Sequence, residues 1–239
     1  IIKEAALKKG IKVYLPSLHG IHQILKPGDI ASHGYENYSK EFKSLPSDIK
    51  ENGIAWAKNR LDLRMSGRVG VDMNYATKSA YSNKRFLNVI EKNNKPKILI
   101  STHCFFDNPN AYGKNLFADF YEWLDFLGKI TDETDYDWYL KAHPDAFSEN
   151  HFFIDEIISK YKKIKKLPDM TSHKQLKEEG IKYILTVYGS IGHEAPLNNQ
   201  IVINAGTKNP HESYNFNLHA SSIEQYRDIL LSLPNLFVD

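Results

Sequence analysis

The residues of this chain that could do chemistry gather in the stretch from Lys182 to Leu197, where a β-rich run passes through Gly189 and Gly192 into residues of helical character. Two glycines at that spacing let backbone approach a ligand where a Cβ would block it. If a helix starts at Ser190, the amides of Ile191 and Gly192 point outward and favour an anion such as phosphate, by about 0.3 to 1 kcal/mol from the helix dipole. Ser190 and Glu194 are four residues apart and so share one helical face. A hydroxyl near a phosphate and a carboxylate one turn deeper form a clamp for a nucleotide, with Glu194 placed to accept from ribose hydroxyls. The same spacing equally fits a capped helix after a core strand, with Ser190 as the N-cap.

Other chemistries find less support. His193-Glu194 is not followed by the second histidine of a zincin helix, and Gly189-Ser190-Ile191-Gly192 lacks the Gly-x-Ser-x-Gly spacing of a nucleophile elbow. His19 and His22 are three apart but have no third ligand at recognisable spacing. No metal and no cofactor is therefore expected. The run Lys160, Lys162, Lys163, Lys165 and Lys166 reads as a solvated face rather than a polyanion or lipid contact.

Elements that could position the clamp are legible in the second half of the chain. Strands are expected at 97–104, 137–142, 163–167, 182–188 and 200–205, alternating with helices at 116–130, 149–161, 172–180, 190–198 and 221–233. This alternation predicts an α/β fold, a doubly wound, Rossmann-like, mainly parallel sheet. Such sheets bind ligands outside the carboxyl ends of their strands. That rule selects four loops: 105–114, with Asp107 before Pro109; 143–148, with His143-Pro144-Asp145; 189–194; and 206–215, with Thr207, His211 and Glu212. Pro196 removes a donor inside the 190–198 helix, which is expected to be short or kinked there.

The first part reads differently. A helix over 1–9 and a β-like run at 12–15 suggest one αβ unit, and 16–45 a loop-rich connection. Helices are expected over 49–65, packed on a core, and over 82–92. The chain starts at Ile1, within the expected helix, which suggests part of a longer polypeptide. The organisation expected is a partial amino-terminal domain over 1–94 and a Rossmann-like domain over 95–239.

Composition sets outer bounds. The 239 residues are 41% hydrophobic and 25% charged, ordinary for a soluble chain with a sizeable core. A net charge of +2 gives no electrostatic footprint for nucleic acid. One cysteine, Cys104, excludes an intramolecular disulfide and suits a reducing cytoplasm. No apolar run reaches the roughly 18 residues of a membrane span.

Lys141-Ala-His-Pro144 at one strand end and Tyr188-Gly-Ser-Ile-Gly-His-Glu-Ala195 at another resemble the capsule polysaccharide biosynthesis glycosyltransferases, a GT-B-like group. The loop Asp107 to Gly113 and the following Leu116 to Leu124 are similar to that group's opening loop and helix. The resemblance spans about residues 95–215 and implies a GT-B-like carboxyl-terminal half, bound to a nucleotide-sugar, with CMP as the expected activating group. By its motifs, His143 with Pro144 and Ser190 hold phosphate or cytidine, and Glu194 the ribose; Thr207, His211 and Glu212 face the donor sugar. A histidine suits the place because its N–H can donate to a departing phosphate. The acidic pair followed by glycine that serves as base in bacterial sialyltransferases is missing, which leaves Asp107 as the candidate base. The implied activity is sugar transfer to a glycan or lipid-linked acceptor in bacterial surface polysaccharide synthesis, in the cytoplasm, with room for peripheral association at the inner face of the plasma membrane. Two alternatives stay open. One is a sugar-nucleotide epimerase of the UDP-N-acetylglucosamine 2-epimerase type, disfavoured by the missing second acid. The other is a non-catalytic binding domain of a polysaccharide assembly complex, since Asp107 equally fits the cap of the turn before Pro109 and the chain then lacks a catalytic base.

Overall fold

A computed structural model of the chain describes residues 2–17, 20–25, 35–72, 74, 76–112, 115–206 and 208–236. His19, Gly113 and Thr207, together with the His22 side chain, lie outside the described residues.

The chain opens with helix α1 (Ile2–Lys8), followed by β1 (Val13–Ser17) and β2 (Gly20–Ile24), which pair antiparallel with Val13 opposite Ile24. The expected αβ unit is thus a helix and a hairpin. Helix α2 (Tyr38–Ser44) also falls within the stretch expected to be irregular. Helix α3 (Ser47–Met65) forms as expected but buries none of its residues. Its expected packing on a core is not found, because Lys58 falls inside the Ile54, Leu61 and Met65 stripe and breaks the apolar face.

No helix forms over 82–92, contrary to the sequence expectation. That segment runs irregularly along the sheet, and its backbone is satisfied from outside. Phe86 N donates to Gln175 Oε1 at 3.2 Å, Glu91 N to the Tyr139 hydroxyl at 2.8 Å, and the Ser82 hydroxyl to the Met170 carbonyl at 3.0 Å. Buried Ile90 anchors it. Side chains from elsewhere replace the internal ladder a helix would have used.

The rest is a six-stranded, all-parallel sheet with helices on both faces. In chain order come β3 (Lys97–Ser101), α4 (Phe120–Asp132), β4 (Asp137–Lys141), α5 (Asn150–Lys160), β5 (Ile164–Lys166), α6 (His173–Glu178), β6 (Tyr183–Thr186), α7 (Ile191–Glu194), β7 (Ile201–Asn204), β8 (Asn217–His219) and α8 (Ile223–Leu231). The strand order β5-β4-β3-β6-β7-β8 means the chain winds outward from β3, returns to its far side, and winds out again. Registers run Ile98 to Trp138 on one side of β3 and Ile98 to Tyr183 on the other.

Side-chain alternation along the strands builds two cores. Ile98, Ile100, Trp138, Leu140 and Leu185 face Trp123, Leu127, Ile154 and Tyr226 from the helices on one side. Leu99, Tyr139, Ile184 and Val202 face Leu176, Ile191 and Ile90 on the other. Full burial of one such aliphatic side chain stabilises by about 1.5 to 3 kcal/mol. Helix α4 is set by a reciprocal cap: Asp119 accepts from Glu122 N at 2.8 Å, and the Glu122 carboxylate accepts from Ala118 N at 3.1 Å. The 190–198 segment is cut short as Pro196 predicts. Helix α7 ends at Glu194, Pro196 opens a 3-10 turn, and Asn199 leaves it at φ 57°.

Strand β8 is the element that periodicity does not reveal. Its polar residues bond to neighbours outside the strand: Asn217 Nδ2 donates to Asn204 Oδ1 on β7 at 3.1 Å, and Asn209 Nδ2, in the preceding loop, lies 3.2 Å from His219 Nδ1.

Candidate functional site

Where the strand order reverses, between β3 and β6, the carboxyl ends of adjacent strands diverge into loops that run to opposite sides of the sheet. His103, two residues beyond β3, organises this point. Its Nε2 faces three donors: the Thr186 hydroxyl at 3.1 Å and the amides of Val187 and Tyr188 at 3.3 Å each. The ring stacks on Phe120, with centroids 4.8 Å apart. Burial, reinforced by nearby His143, pushes its pKa down to about 3, so the imidazole is neutral and accepts through Nε2. This residue fixes the exit of β6, and through it the turn that carries Ser190.

That turn is closely packed. Gly189 N donates to Thr186 Oγ1 at 3.2 Å, Gly192 N to the Gly189 carbonyl at 2.9 Å, and His193 N to the Ser190 carbonyl at 3.1 Å. The seat expected from the free amides thus keeps at most those of Ser190 and Ile191. The space left by the two glycines is filled by the protein itself. A Cβ on Gly189 would come within 2.8 Å of Thr186 Oγ1, and one on Gly192 within 2.5 Å of the His211 ring. Ser190 makes no side-chain cap to α7. Instead its Oγ accepts from Arg64 Nη2 at 2.9 Å.

Arg64, on the last turn of α3, is the residue that no local spacing announces. Its Nε donates to Glu194 Oε1 and its Nη1 to Asp72 Oδ2 at 3.1 Å; Arg60 pairs with the other oxygen of Asp72. Burial works against the guanidinium charge, but Glu194 and then Asp72 hold its pKa above the ordinary value. Glu194 itself is 1% exposed, and its second oxygen accepts from the Tyr81 hydroxyl at 2.8 Å. Both carboxylate oxygens are therefore engaged inside the protein.

His143 and Pro144 follow β4, the neighbour of β3, on the same edge of the sheet as Ser190. Asp145 N donates to His143 Nδ1 at 3.3 Å, which leaves Nε2 as the N–H donor of the neutral ring. The ring is open to solvent at the rim. Protein packed around it, and then the Lys141 ammonium, hold its pKa below the ordinary value, while Asp107 and Asp145 pull the other way. Lys141 is buried at the end of β4, and burial lowers its pKa to about 8 against the pull of Asp169 and Glu194. Asp107 is exposed on the loop after β3.

The rim loops are tied together. The Tyr188 hydroxyl donates to the Asn108 carbonyl at 2.9 Å, joining the Asp107 loop to the Ser190 turn. Thr77 Oγ1 donates to Asp145 Oδ1 at 2.6 Å, and the Thr77 and Lys78 amides donate to Asp145 Oδ2 at 3.0 and 3.2 Å. Arg64 and Tyr81 therefore touch the segment after β6, and Thr77 and Lys78 the β4 loop.

The fourth loop is placed differently from the sequence expectation of a sugar-facing surface. His211 is buried behind the turn, where its Nε2–H donates to the Gly189 carbonyl at 3.3 Å, and burial pushes its pKa down to about 4. It braces Gly189 from beneath because the missing Cβ of Gly192 makes room for the ring. Glu212 is half-buried and pairs with Lys208 at 3.2 Å. Sequence reasoning singled out His143, Ser190 and Glu194, and the structure brings His143 and Ser190 to one edge. It did not find Arg64, Tyr81, Lys141 or His103. Of these, His103 and Lys141 lie at the ends of expected strands, where any buried polar residue is a candidate; Arg64 and Tyr81 carry no such mark.

Among the described residues, no group of three or more His, Cys, Asp or Glu is placed to hold a metal ion. No helix among them is long and apolar enough to cross a membrane. Compared with protein-family models and with curated proteins, the chain matches none.

Proposed function

We propose that the chain is the donor-binding part of a glycosyltransferase that takes a nucleotide-activated sugar, CMP being the expected carrier, in synthesis of a bacterial surface polysaccharide. The observation that supports it most is the placement of His143 and Ser190 on the carboxyl edge of one parallel sheet, on the loops of β4 and β6 that flank β3. In open α/β sheets ligands bind at such a reversal point. The protonation of His143 supports the same reading, since Nδ1 accepts from Asp145 N and Nε2–H is the donor available to a phosphate oxygen.

Sugar transfer asks two things of this half: hold the nucleotide, and stabilise the negative charge that grows on the phosphate as the sugar leaves. His143 donates to that oxygen, and Ser190 holds the neighbouring one. Asp107, on the facing loop and within electrostatic reach of His143, takes the proton from the acceptor hydroxyl. The acceptor is a glycan or a lipid-linked sugar.

Calorimetry with CMP, CDP, UDP and GDP tests the proposal. One nucleotide is expected to bind, and His143→Ala and Ser190→Ala each to weaken it by about tenfold, the worth of one charge-assisted hydrogen bond. A folded protein that binds none of the four overturns the reading.

A further inference from the structure

We infer that Arg64, brought by α3, is the cation that takes the donor's phosphate beside Ser190, and that Glu194 positions Arg64 instead of touching the ligand. This rests on the nucleotide-binding role proposed for the same edge. The argument starts from the donor count. A guanidinium has five N–H groups in a rigid plane. Three are engaged, on Glu194 Oε1, Asp72 Oδ2 and Ser190 Oγ. The second N–H of each Nη has no partner among the described residues. One N–H on each Nη thus remains for the oxygens of a phosphate, a group that a planar guanidinium recognises through its fork of donors.

Glu194 has the opposite character. Its two oxygens are taken by Arg64 and Tyr81, and the side chain is sealed. To reach a ribose it would have to leave a buried ion pair, which strands a charge in the interior. As a brace it needs no movement at all. Two acids, Glu194 and Asp72, grip the guanidinium from different sides and fix its plane. Packing does not fix it, since α3 buries no residue of its own.

A mere tie between α3 and the sheet layer would be complete with Glu194, while Asp72 holds the guanidinium from the segment that follows α3. The third bond, from Nη2 to Ser190 Oγ, turns the guanidinium onto the hydroxyl at the rim, on the edge that His143 shares. The buried Lys141 ammonium adds a positive charge within electrostatic reach of His143 and His173, whose own pKa values burial lowers. His173 is buried, and its Nδ1 lacks a hydrogen-bond partner among the described residues.

The test is calorimetry with whichever of CMP, CDP, UDP and GDP binds the wild type best, together with its nucleoside and its 2′,3′-dideoxy analogue. Thermal unfolding of every variant serves as the fold control. Arg64→Lys is expected to weaken the nucleotide by about tenfold or more while leaving the nucleoside unchanged, because the fork is lost and the charge kept. Glu194→Gln is expected to weaken the ribo- and dideoxynucleotides by the same factor. It should add nothing to Arg64→Met, the signature of two residues acting as one. The Arg64→Met, Glu194→Gln double variant removes both charges, so it folds without a stranded ion. If that folded variant binds the nucleotide as tightly as wild type, the inference is overturned while the nucleotide reading stands. If Glu194→Gln selectively erases a preference for the ribonucleotide over its dideoxy analogue, Glu194 touches the sugar and the positioning role is overturned. A wild type that binds no nucleotide removes the inference together with the reading beneath it.

Discussion

At the residue scale the site is a set of side chains that hold each other in one protonation state. His103 shows this most directly. In the folded protein its pKa is about 3, against an ordinary value of 6.5, because burial penalises the charged ring and nearby His143 adds to the penalty. Between those pH values the unfolded chain binds a proton that the folded one refuses. The stabilisation is therefore fully present above pH 6.5 and lost as pH falls toward 3, by about 1.4 kcal/mol per pH unit for the single proton. His211, at about 4, adds to the same slope between pH 6.5 and 4. The urea midpoint is expected to fall between pH 7 and 5, and to fall less steeply in His103→Asn. Tyr81→Phe removes the hydroxyl that serves the sealed Glu194 carboxylate and should cost about 1 to 3 kcal/mol in a urea titration. The legibility of these residues differs for a physical reason. His143 and Ser190 stand in short local patterns, whereas Arg64 meets Ser190 across 126 positions of chain and Tyr81 meets Glu194 across 113. Contacts of that range leave no periodic trace.

At the element scale, the sheet strands were readable because buried parallel strands are continuous apolar runs, as in Ile98 to Ile100 or Tyr183 to Leu185. Strand β8 escaped because its Asn217 and His219 side chains bond to Asn204 and Asn209 instead of packing as β-branched residues. The 82–92 segment has residues that tolerate a helix, but bonds to Gln175 and Tyr139 hold it irregular, a case of tertiary contacts overriding local preference. Helix α4 carries an instructive position. Gly128 sits mid-helix, where alanine would ordinarily be better by about 1 kcal/mol. A Cβ there would lie 2.1 Å from the Tyr161 ring. Gly128→Ala should therefore destabilise, by about 1 to 3 kcal/mol through overpacking, with the sign read from the thermal midpoint.

For the molecule as a whole, order is unevenly distributed. Helices α1, α2 and α3 bury no residue, while β3, β4, β6 and β7 are buried along almost their whole length. Hydrogen exchange followed by mass spectrometry should show the central strands protected for the longest times and α1 to α3 exchanging through local opening. The candidate site straddles this divide, with Ser190 and His143 on the rigid part and Arg64 on the part held by ion pairs. The α/β layering could be deduced in advance because it repeats along the chain, but the union of the two parts could not, since it depends on a few contacts between residues far apart in the chain, such as Arg64 with Glu194 and Ser39 with Ser213.

Strand β5 has one further consequence. It is one of the two edge strands, with β8 at the other side, so one row of its amides and carbonyls faces away from the sheet and could recruit a strand from another molecule. Two of its three residues are lysines, Lys165 and Lys166, each leaning on an acid of the same chain, Glu91 at 2.9 Å and Asp155 at 2.5 Å. Surface pairs of this kind add little to folding free energy. Their value lies in like-charge repulsion between copies, and replacing both with valine should leave the unfolding midpoint nearly unchanged while sedimentation reports concentration-dependent self-association.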